Sequence, residues 1–292
     1  MILHAQLSST LVHGAFVQGR DGIYCTPMLS SASDQDAERA LREGVAAVQV
    51  DNYLDTIAKN HSIPVMDHEV DRFLDSMPNG ALILDIGGCW GWHWRRLAAT
   101  RPDIGVLIVD FVRANLSHAQ KVLGSLVGTQ IALMHADATA LPFADGDTTV
   151  PGFDGVWTVQ VFQHIPDFAC ACREARRVLK SGGRFANFSL HATPLNRMVY
   201  RLLGKPFHTE GLVKNVFFLN RANEVQKQIV ADIFGQEKVT DRYTECLFHP
   251  DLKLDFSGRF GSSFGQLDAR LGELTWLGRW IARQRSFETT KS

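Results

Sequence analysis

The sequence predicts an α/β protein with a doubly wound, mainly parallel sheet. Between residues 81 and 190, short apolar runs alternate with amphipathic segments, and several of the runs end in polar or glycine residues. This alternation is typical of βαβ units, in which consecutive strands lie parallel. The chain has 292 residues, of which 45% are hydrophobic, so it can bury a full core without disulfide or metal staples.

Two N-terminal segments precede the alternation. The residues LVHGAFVQGRDGIYC hold a Gly-Arg-Asp-Gly turn between apolar runs and predict a hairpin. The following SSASDQDAERALREGVAAVQVDNYLDTIAKN is predicted to be mostly helical. PVMDHEVDRFLDSMPNG is a second predicted helix, which stops at its Pro-Asn-Gly end. We expect both segments to flank the sheet.

The core strands and helices then follow in order. The predicted strands are ALILDI, IGVLIVD, QIALMHA, FDGVWTV and RFANFSL. The predicted helices between them are HWRRLAATR, ANLSHAQKVLGSLV and DFACACREARRVLKSGG, the last ending in glycines. Right-handed crossovers between parallel strands place these helices on the two faces of the sheet.

The pattern changes after residue 191. We predict an irregular or helical insert over TPLNRMVYRLLGKPFHTEGLVKNVFF and a helix over NRANEVQKQIVADIFG. A sixth strand is predicted over EKVTDRYTECLF, and the last strand is not placed. One helical stripe joins Leu267, Leu271, Leu274, Leu277 and Ile281. We predict three parts: a cap segment over residues 1–61, a core over 62–192, and a third part over 193–292 with the insert, the remaining strands and an amphipathic helix.

Composition excludes several classes of protein. Thirty basic residues balance thirty-one acidic ones, so no nucleic-acid partner is expected. The five cysteines include no CxxC pair, which argues against disulfides and a zinc site, and no metal is expected. Because no basic leader or long apolar span is present, we expect a cytoplasmic protein. The oligomeric state cannot be inferred from the sequence.

The segment ALILDIGGCWGWHWRRLAATRPDIGVLIVD predicts a ligand site. A glycine turn after the first core strand lets a ligand approach the backbone, and the next helix N-terminus suits an anionic group. Asp110, at the end of the second core strand, suits the two hydroxyls of a ribose. The ligand is therefore a dinucleotide or S-adenosylmethionine. The spacing Gly87-Gly88-Cys89-Trp90-Gly91 lacks the third glycine of the G-x-G-x-x-G dinucleotide fingerprint.

Several motifs resemble those of class I S-adenosylmethionine-dependent methyltransferases, in the small-molecule branch of methyltransferase type 11. LILDIGGCWG resembles motif I, VLIVD motif II, and MHADATALPFADG the adenine-reading motif. FDGVWTVQVFQHIPD and EARRVLKSGGRF resemble the fourth-strand motif and the segment that follows it. The resemblance covers about residues 62–192. It implies a Rossmann-like seven-stranded fold and S-adenosylmethionine as cofactor.

The resemblance also implies which residues hold the cofactor. These are Asp85, Gly87, Gly88, Gly91, Asp110, Phe111, Asp137, Ala138, Val159 and Gln160. Asp110 would bind the ribose and Asp137 would read the adenine amino group. Asp85 would accept a hydrogen bond from the ligand ammonium or else order the loop.

Two residues depart from motif I. Cys89 replaces the usual middle glycine and would crowd the loop unless its φ stays negative, and Trp90 replaces a small residue. A catalytic thiol at Cys89 is not expected, because methyl transfer from a sulfonium needs no enzyme nucleophile. Trp90, Trp92 and Trp94 either form a cage for a cation or close the helix onto the core.

Two residues are candidates for activating the methyl acceptor. His164 lies just past the fourth core strand, and it either takes a proton from the acceptor or caps the next helix. Phospho-base members of the family pair a histidine in a matching place with an N-terminal tyrosine, for which Tyr53 is the best match here. His191 and His208 are weaker candidates.

The expected function is methyl transfer to an O, N or C atom of a small molecule. One alternative is a lipid- or quinone-type acceptor held at a membrane surface by the C-terminal helix, although we prefer a core-facing role for that helix. Another is a non-catalytic, methyltransferase-like binding protein, suggested by Cys89 and Trp90. A nicotinamide-dependent oxidoreductase is disfavoured by the glycine spacing.

Overall fold

The computed structural model describes residues 17–26, 39–47 without 41 and 45, 51–147, 152–191, 193–204, 223–235, 239–250, 254–256 and 263–292. The strands are β1 (Val17–Gln18), β2 (Tyr24–Cys25), β3 (Leu82–Ile86), β4 (Gly105–Asp110), β5 (Ile131–His135), β6 (Phe153–Val159), β7 (Leu179–Leu190), β8 (Thr240–Thr244), β9 (Phe248–His249), β10 (Leu254–Asp255) and β11 (Gln284–Thr290). The helices are α1 (Tyr53–Ala58), α2 (Ile63–Asp75), α3 (Leu97–Thr100), α4 (Arg113–Leu123), α5 (Phe168–Val178), α6 (Pro194–Leu202), α7 (Asn223–Phe234), α8 (Phe264–Glu273) and α9 (Thr275–Ile281).

One mixed sheet dominates the structure. Its nine strands run in the order β1-β2-β5-β4-β3-β6-β7-β11-β8. The strands from β2 to β7 in this order pair in parallel, whereas β11 is antiparallel to both β7 and β8. The predicted doubly wound, mainly parallel fold is confirmed. The sheet has nine strands rather than seven because the predicted N-terminal hairpin, β1–β2, adds itself beside β5.

The strand register brings the ends of the central strands together. Ile86 pairs with Val109, and Asp110 pairs with His135. On the other side of β3, Val159 at the end of β6 pairs with Phe188 of β7. The loops after β3, β4, β5 and β6 therefore leave the sheet at the same edge, which is where open α/β sheets bind their ligands.

The core lies on both faces of the sheet, because side chains of a strand alternate between faces. On one face, Phe185 of β7 packs with α5 and with Phe234 of α7. On the other, Phe188 of β7 packs against Trp157, and α2 and α4 cover this side. Most of these aromatic rings are almost completely buried.

Helix α2 is fixed to the antiparallel end of the sheet by buried charges. Glu69 is fully buried and accepts from Arg72 over 2.9 Å. Arg72 also donates to Glu288 of β11 over 2.9 Å, and Arg242 of β8 donates to Glu69 over 3.2 Å. Two carboxylates and two guanidiniums thus alternate, so that each buried carboxylate has a guanidinium partner. The network fixes the second half of α2 to β8 and β11.

Two helices differ from their predictions. The helix predicted over DFACACREARRVLKSGG ends at Val178, because β7 already begins at Leu179 and pairs with Phe153. The segment after the glycine turn forms a 3₁₀ turn, Trp92–Trp94, and the four-residue α3. The expected helix N-terminus facing the ligand is therefore absent from this described segment.

The C-terminal stripe was predicted as one helix, and this is wrong. It divides into α8 and α9 at Leu274, which leaves helical geometry with ψ 77°. Gly272 and Gly278 flank the break, and a Cβ on either would collide with Tyr243 of β8, at 1.9 Å from its carbonyl oxygen and 2.6 Å from its Cβ respectively. Both short helices thus lie against β8, and the strand that the sequence did not place is β11, between β7 and β8.

Candidate functional site

A cavity of about 310 Å³ opens at the edge where the parallel strands end. Its walls come from the segments that follow β3, β4, β5 and β6, and from three residues of the N-terminal segment: Arg39, Arg42 and His61. Of the predicted cofactor residues, those that line it are Gly87, Asp110, Phe111, Asp137, Ala138, Val159 and Gln160. The structure therefore brings these residues together, while Asp85, Gly88 and Gly91 lie behind the wall.

The glycine turn has little room for side chains. Gly87 has φ 71°, and a Cβ there would lie 2.3 Å from the side chain of Val161. A Cβ on Gly88 would lie 2.2 Å from a carboxylate oxygen of Asp85. Gly91 also has positive φ, at 67°. These contacts explain the glycines at the three positions and keep the loop close to the strands, so that its backbone forms the floor of the cavity.

Cys89 adopts a conformation that the sequence did not predict. Its φ is 50°, in the left-handed region that non-glycine residues rarely occupy, so the negative φ that would have avoided crowding is not adopted. The side chain is exposed and lies in the cavity wall. Desolvation in the cavity, together with the nearby Asp110 carboxylate, raises the pKa of its thiol. The thiol is therefore protonated at neutral pH, which argues against a nucleophilic role.

Asp85 lies beneath the turn instead of facing the ligand. Its carboxylate accepts a hydrogen bond of 2.6 Å from the indole of Trp94, and the residue is 1% exposed. Burial, partly opposed by that hydrogen bond, raises the pKa of Asp85 to about 7. Of the two predicted roles, ordering the loop fits the structure and contact with a ligand ammonium does not. The position of Asp85 also explains why Trp94 is fully buried.

Asp110 joins the first two strands of the core at the cavity wall. One carboxylate oxygen accepts from the backbone N–H of Cys89 over 2.9 Å, and the other from Val112 N over 2.8 Å and Asn115 Nδ2 over 3.2 Å. Burial is the main cause that raises the pKa of Asp110 to about 6, against the lowering effect of these hydrogen bonds. A carboxylate fixed in this way keeps acceptor capacity for a ligand hydroxyl.

The adenine end of the predicted site is formed by three residues. Asp137 is fully buried, and one of its oxygens accepts from both the backbone N–H and the hydroxyl of Thr139 at 2.8 Å. This fixes the carboxyl group beside Ala138. The guanidinium of Arg39 lies over the ring of Phe111, 5.4 Å from its centroid. A flat group bound here would share the ring of Phe111 with that arginine.

Gln160 shows two signs of a binding residue. Its φ is 56°, another left-handed position, which is stabilised by a 2.7 Å hydrogen bond from its N–H to Phe188 O. Its side-chain nitrogen is buried, and within the described part of the chain it has no hydrogen-bond partner. A buried donor without an acceptor is costly, and backbone strain of this kind is concentrated at functional sites. An oxygen-bearing ligand would satisfy it.

His164 lines the cavity, as predicted, in a 3₁₀ turn over Phe162–His164. Its Nδ1 lies 2.9 Å from a guanidinium nitrogen of Arg42, which can only donate, so the ring is neutral with an unprotonated Nδ1. Burial and then the charge of Arg42 lower the pKa of His164 to about 3. The alternative role as cap of the next helix is filled by Asp167, whose side chain accepts from Cys170 N over 2.8 Å.

Tyr53 does not occupy the predicted position beside His164. Its hydroxyl lies 3.2 Å from Nδ1 of His118, whose Nε2 lies 2.9 Å from Ala46 O. His118 therefore donates from Nε2 and accepts from the tyrosine. The Tyr53 ring also packs edge-on against Trp90, with centroids 5.4 Å apart. Helix α1 is thus fastened to α4, and the predicted catalytic pairing of Tyr53 with His164 is absent from this structure.

The tryptophans after the turn serve packing. None of Trp90, Trp92 and Trp94 is among the cavity-lining residues, so the cation cage is not formed. Trp92 stacks on His93 with centroids 4.1 Å apart, and it also contacts His61. Of the weaker histidine candidates, His191 lies 2.6 Å from Asn223 Oδ1, and His208 lies outside the described residues.

Three titratable cavity residues were missed from the sequence: Arg39, Arg42 and His61. His61 precedes α2, and its Nδ1 lies 3.9 Å from Oε1 of the fully buried Glu245. Glu245 also accepts from Ser62 N over 2.8 Å and pairs with Arg283. Burial lowers the pKa of His61 to about 4, although the Glu245 charge opposes this. No local motif marks these residues, because only the tertiary fold brings them to the strand edge.

The fold and this site define a Rossmann-like domain with a cavity at the carboxyl ends of its parallel strands. Residues 84–187 match the family described as Methyltransferase domain. The chain is 28% identical over 184 residues to 2-methyl-6-phytyl-1,4-hydroquinone methyltransferase of Synechocystis, covering 61% of this chain and 55% of that protein. It is 36% identical over 175 residues to malonyl-[acyl-carrier protein] O-methyltransferase of Geobacter sulfurreducens, covering 59% of this chain and 62% of that protein.

A solved structure agrees at the level of the fold. A methyltransferase of Thermotoga maritima, titled a possible histamine N-methyltransferase, superposes with a TM-score of 0.52 at 17% identity, covering 87% of this chain and all of that one. Residues 84–187 are therefore similar in sequence to the methyltransferase domain family, and the solved structure agrees with this chain in fold. The chain spans less than two thirds of the two curated relatives named above, so its own activity and acceptor are matters for proposal.

Proposed function

We propose that this protein transfers a methyl group from S-adenosylmethionine to an O, N or C atom of a small-molecule acceptor. The observation that carries the proposal is the position of Asp110, whose carboxylate is held at the cavity wall by the N–H of Cys89. A fixed carboxylate between the glycine turn and the end of β4 is the arrangement that suits a ribose diol. The cavity residues fit this group further, because the side-chain nitrogen of Gln160 is buried and has no hydrogen-bond partner among the described residues.

Each part of the cavity has a role in this proposal. Asp110 would hold the ribose hydroxyls, and Asp137 with Ala138 and Phe111 would surround the adenine. Val159 and Gln160, at the end of β6, would contact the remaining part of the cofactor. When bound, the cofactor supplies an electrophilic sulfonium methyl. The chain contributes alignment of the acceptor and exclusion of water, which together account for most of the rate in such transfers.

Two neutral imidazoles could accept the acceptor's proton. His164 and His61 both line the cavity, and burial lowers the pKa of each below its usual value. Both rings are unprotonated at neutral pH, but their low pKa values make them weak bases. A general base is needed only where the acceptor atom carries a proton at neutral pH. We assign His164 this role; its Nδ1 would take the proton only after the bound acceptor displaces the hydrogen bond from Arg42, which orients the ring until then.

The acceptor class is a second part of the proposal. Relatives are named for a hydroquinone and for a carrier-bound acid, and both names describe small or extended organic acceptors. A lipid- or quinone-type acceptor presented at a membrane surface is the second candidate, favoured by the first of these relatives. A non-catalytic binding protein remains the alternative from another class.

Calorimetric titration tests the proposal directly. S-adenosylmethionine and its demethylated product should bind in the micromolar range, about −8 kcal/mol. Asp110→Ala should weaken both by at least about tenfold, because hydrogen bonds to a charged group contribute about 1.5–3 kcal/mol. Asp103→Ala is the matched control, since that carboxylate lies on the surface away from the cavity. Equal affinity in the wild type and Asp110→Ala would refute the cofactor site.

A methylation assay then separates an enzyme from a binding protein. The amount of demethylated product formed with hydroquinone or malonyl-[acyl-carrier protein] acceptors should be proportional to the protein concentration, and none should form with Asp110→Ala. Tight cofactor binding without product from any acceptor of these classes would favour the binding protein.

A further inference from the structure

An unusual concentration of exposed apolar side chains lies on two neighbouring helices. Six of the ten large hydrophobic residues that are exposed in the described part of the chain are Met198, Leu202, Leu203, Leu274, Trp276 and Trp280. The first three belong to α6 and the residue after it, and the others to α9 and the residue before it. Leu202 is 77% exposed, Trp276 68% and Trp280 55%. Helices α6 and α9 are in contact.

The inner sides of both helices are fixed, so the outer sides cannot turn inward. On α9, Gly278 lies against Tyr243, where a Cβ would be 2.6 Å from the tyrosine Cβ. Trp276 and Trp280 lie two residues to either side of Gly278, and so on the opposite side of the helix. On α6, Tyr200 is buried, while Met198 and Leu202, four residues apart, share the outer side. We call these outer sides the α6–α9 face.

The charges of the α6–α9 face are almost all positive. Helices α6 and α9 contain Arg197, Arg201 and Arg279, all exposed, and no acidic residue. Glu224 of α7 lies 3.4 Å from Arg279, so it partly neutralises that one arginine. Tryptophan beside arginine suits the headgroup region of a bilayer, where indole rings settle and guanidiniums meet phosphate. A water-exposed face of this kind marks an interaction site.

The α6–α9 face stands at the same edge of the sheet as the cavity. Helix α6 begins shortly after β7 ends at Leu190, and α9 ends just before β11 begins at Gln284. Gln284 pairs with Leu190, so both helices adjoin the carboxyl ends of the parallel strands. His191, the residue after β7, also lies with Nε2 3.2 Å from the carbonyl oxygen of Arg279. A surface bound by this face would therefore adjoin the cavity's edge of the sheet.

We propose that the α6–α9 face docks the protein on anionic phospholipid bilayers, with the two tryptophans at headgroup depth and the arginines on lipid phosphates. Docking in this way gives the cavity an acceptor dissolved in the membrane, an apolar molecule with a polar reacting end. Delivery of a membrane-dissolved acceptor rests on the proposed methyl transfer. The lipid contact itself is inferred from the α6–α9 face and does not depend on that activity. Of the sequence stripe that was expected to face the core, only Leu274 is exposed, because Trp276 and Trp280 lie outside the stripe.

Vesicle flotation with the full chain tests this docking. Vesicles of phosphatidylcholine with about one third phosphatidylglycerol should carry the protein upward, and pure phosphatidylcholine should carry much less. Trp276→Ala/Trp280→Ala should reduce flotation at least about tenfold. Arg201→Gln/Arg279→Gln should lose the preference for anionic vesicles and most of the sensitivity to salt. Val17→Ala, an exposed apolar residue at the far end of the sheet, is the matched control and should float normally.

Three results would overturn the docking proposal. The wild type could stay at the bottom with both vesicle types, or the tryptophan double variant could float as well as the wild type. The third is that the wild type sediments as a dimer and the tryptophan double variant as a monomer, which would mean that the α6–α9 face binds a second copy of this chain. Titration with S-adenosylmethionine on the same samples keeps the proposals apart: normal affinity without flotation overturns docking only, and flotation without affinity overturns the cofactor site only.

Discussion

The backbone N–H of Cys89 donates to a carboxylate oxygen of Asp110 over 2.9 Å, and this bond ties the turn after β3 to the end of β4. Cys89, which departs from the usual glycine motif, is therefore held by Asp110, the residue expected to bind the ribose. A ligand hydroxyl at Asp110 would lie beside this bond, so the shape of the turn and the strength of binding are coupled. The first predictions concern this pair and its neighbours.

Replacing Cys89 separates backbone strain from chemistry. Cys89→Gly should be more stable than Cys89→Ala by about 1 kcal/mol, because only glycine occupies φ 50° without a steric cost. Cofactor affinity should be retained in both variants, and Cys89→Ala should keep its turnover. Urea unfolding and calorimetric titration measure the two quantities. An inactive Cys89→Ala with intact binding would show that the thiol takes part in the reaction.

Asp85 should make stability depend on pH in a definite direction. Burial raises its pKa from 3.8 to about 7, so the folded state binds its proton more tightly than the unfolded state. Its contribution is complete at low pH and is lost as pH rises from about 4 through 7, by up to about 4 kcal/mol. Asp85→Asn keeps an acceptor for Trp94 and should lose less stability over this range than the wild type.

Thermal unfolding of both proteins between pH 4 and pH 8 checks this expectation. The difference between them isolates Asp85 from the other buried carboxyls whose pKa is raised, Asp110 and Asp268. Parallel stability curves for the wild type and Asp85→Asn would show that Asp85 has an ordinary pKa.

Gln160→Leu should move affinity and stability in opposite directions. The change removes a buried amide nitrogen without a partner in the described chain, so stability should stay equal or rise by about 1 kcal/mol. Cofactor affinity should fall about tenfold if that nitrogen donates to the ligand. Gln163→Leu is the matched control, because the oxygen of Gln163 accepts from Leu190 N over 2.8 Å and its loss should cost stability. A Gln160→Leu variant with unchanged affinity would leave the orphan donor unexplained.

His164→Ala should lower the methylation rate at least about tenfold and leave cofactor affinity nearly unchanged. The lowered pKa, about 3, predicts no step in the rate near pH 6.5 from this ring. His164→Asn is the informative control, since its amide oxygen can still accept from Arg42. A rate restored by asparagine would mean that His164 only positions Arg42. Turnover and melting temperature should be measured on the same samples.

Tyr53→Phe should affect stability and not chemistry. Its hydroxyl bonds to His118, and loss of this bond should cost about 1 kcal/mol. The rate per folded molecule should match the wild type, in contrast to His164→Ala. A substantial loss of rate at full stability would restore the catalytic role predicted from the sequence.

The core of the site was predictable because it depends on local signals. Asp110 ends β4 and Asp137 follows the end of β5 by two residues, so each comes after an apolar run, and the register of a parallel sheet brings the two strand ends together. The glycines could be assigned for the same reason, since a turn after a buried strand needs close approach. Such features are fixed by a few adjacent residues.

The remaining features depend on contacts between distant segments. Arg42 and His61 reach the cavity only through the packing of segments far from the strands, and Tyr53 turns to His118 because α1 packs on α4. The helix break at Leu274 needs Tyr243 as a neighbour for Gly272 and Gly278. The apolar period runs unbroken through this point, so periodicity alone predicts one helix.

The position of β11 between β7 and β8 has a consequence for folding. β8 reaches the sheet only through β11, which begins forty residues later in the chain. During synthesis, β8 must therefore wait with exposed backbone groups while the segment up to Thr290 emerges from the ribosome. Such delayed, non-local pairing slows folding and leaves a strand open to aggregation. We expect chaperones to bind nascent chains that end before β11. We also expect the yield of soluble protein to depend on how fast β11 pairs with β8.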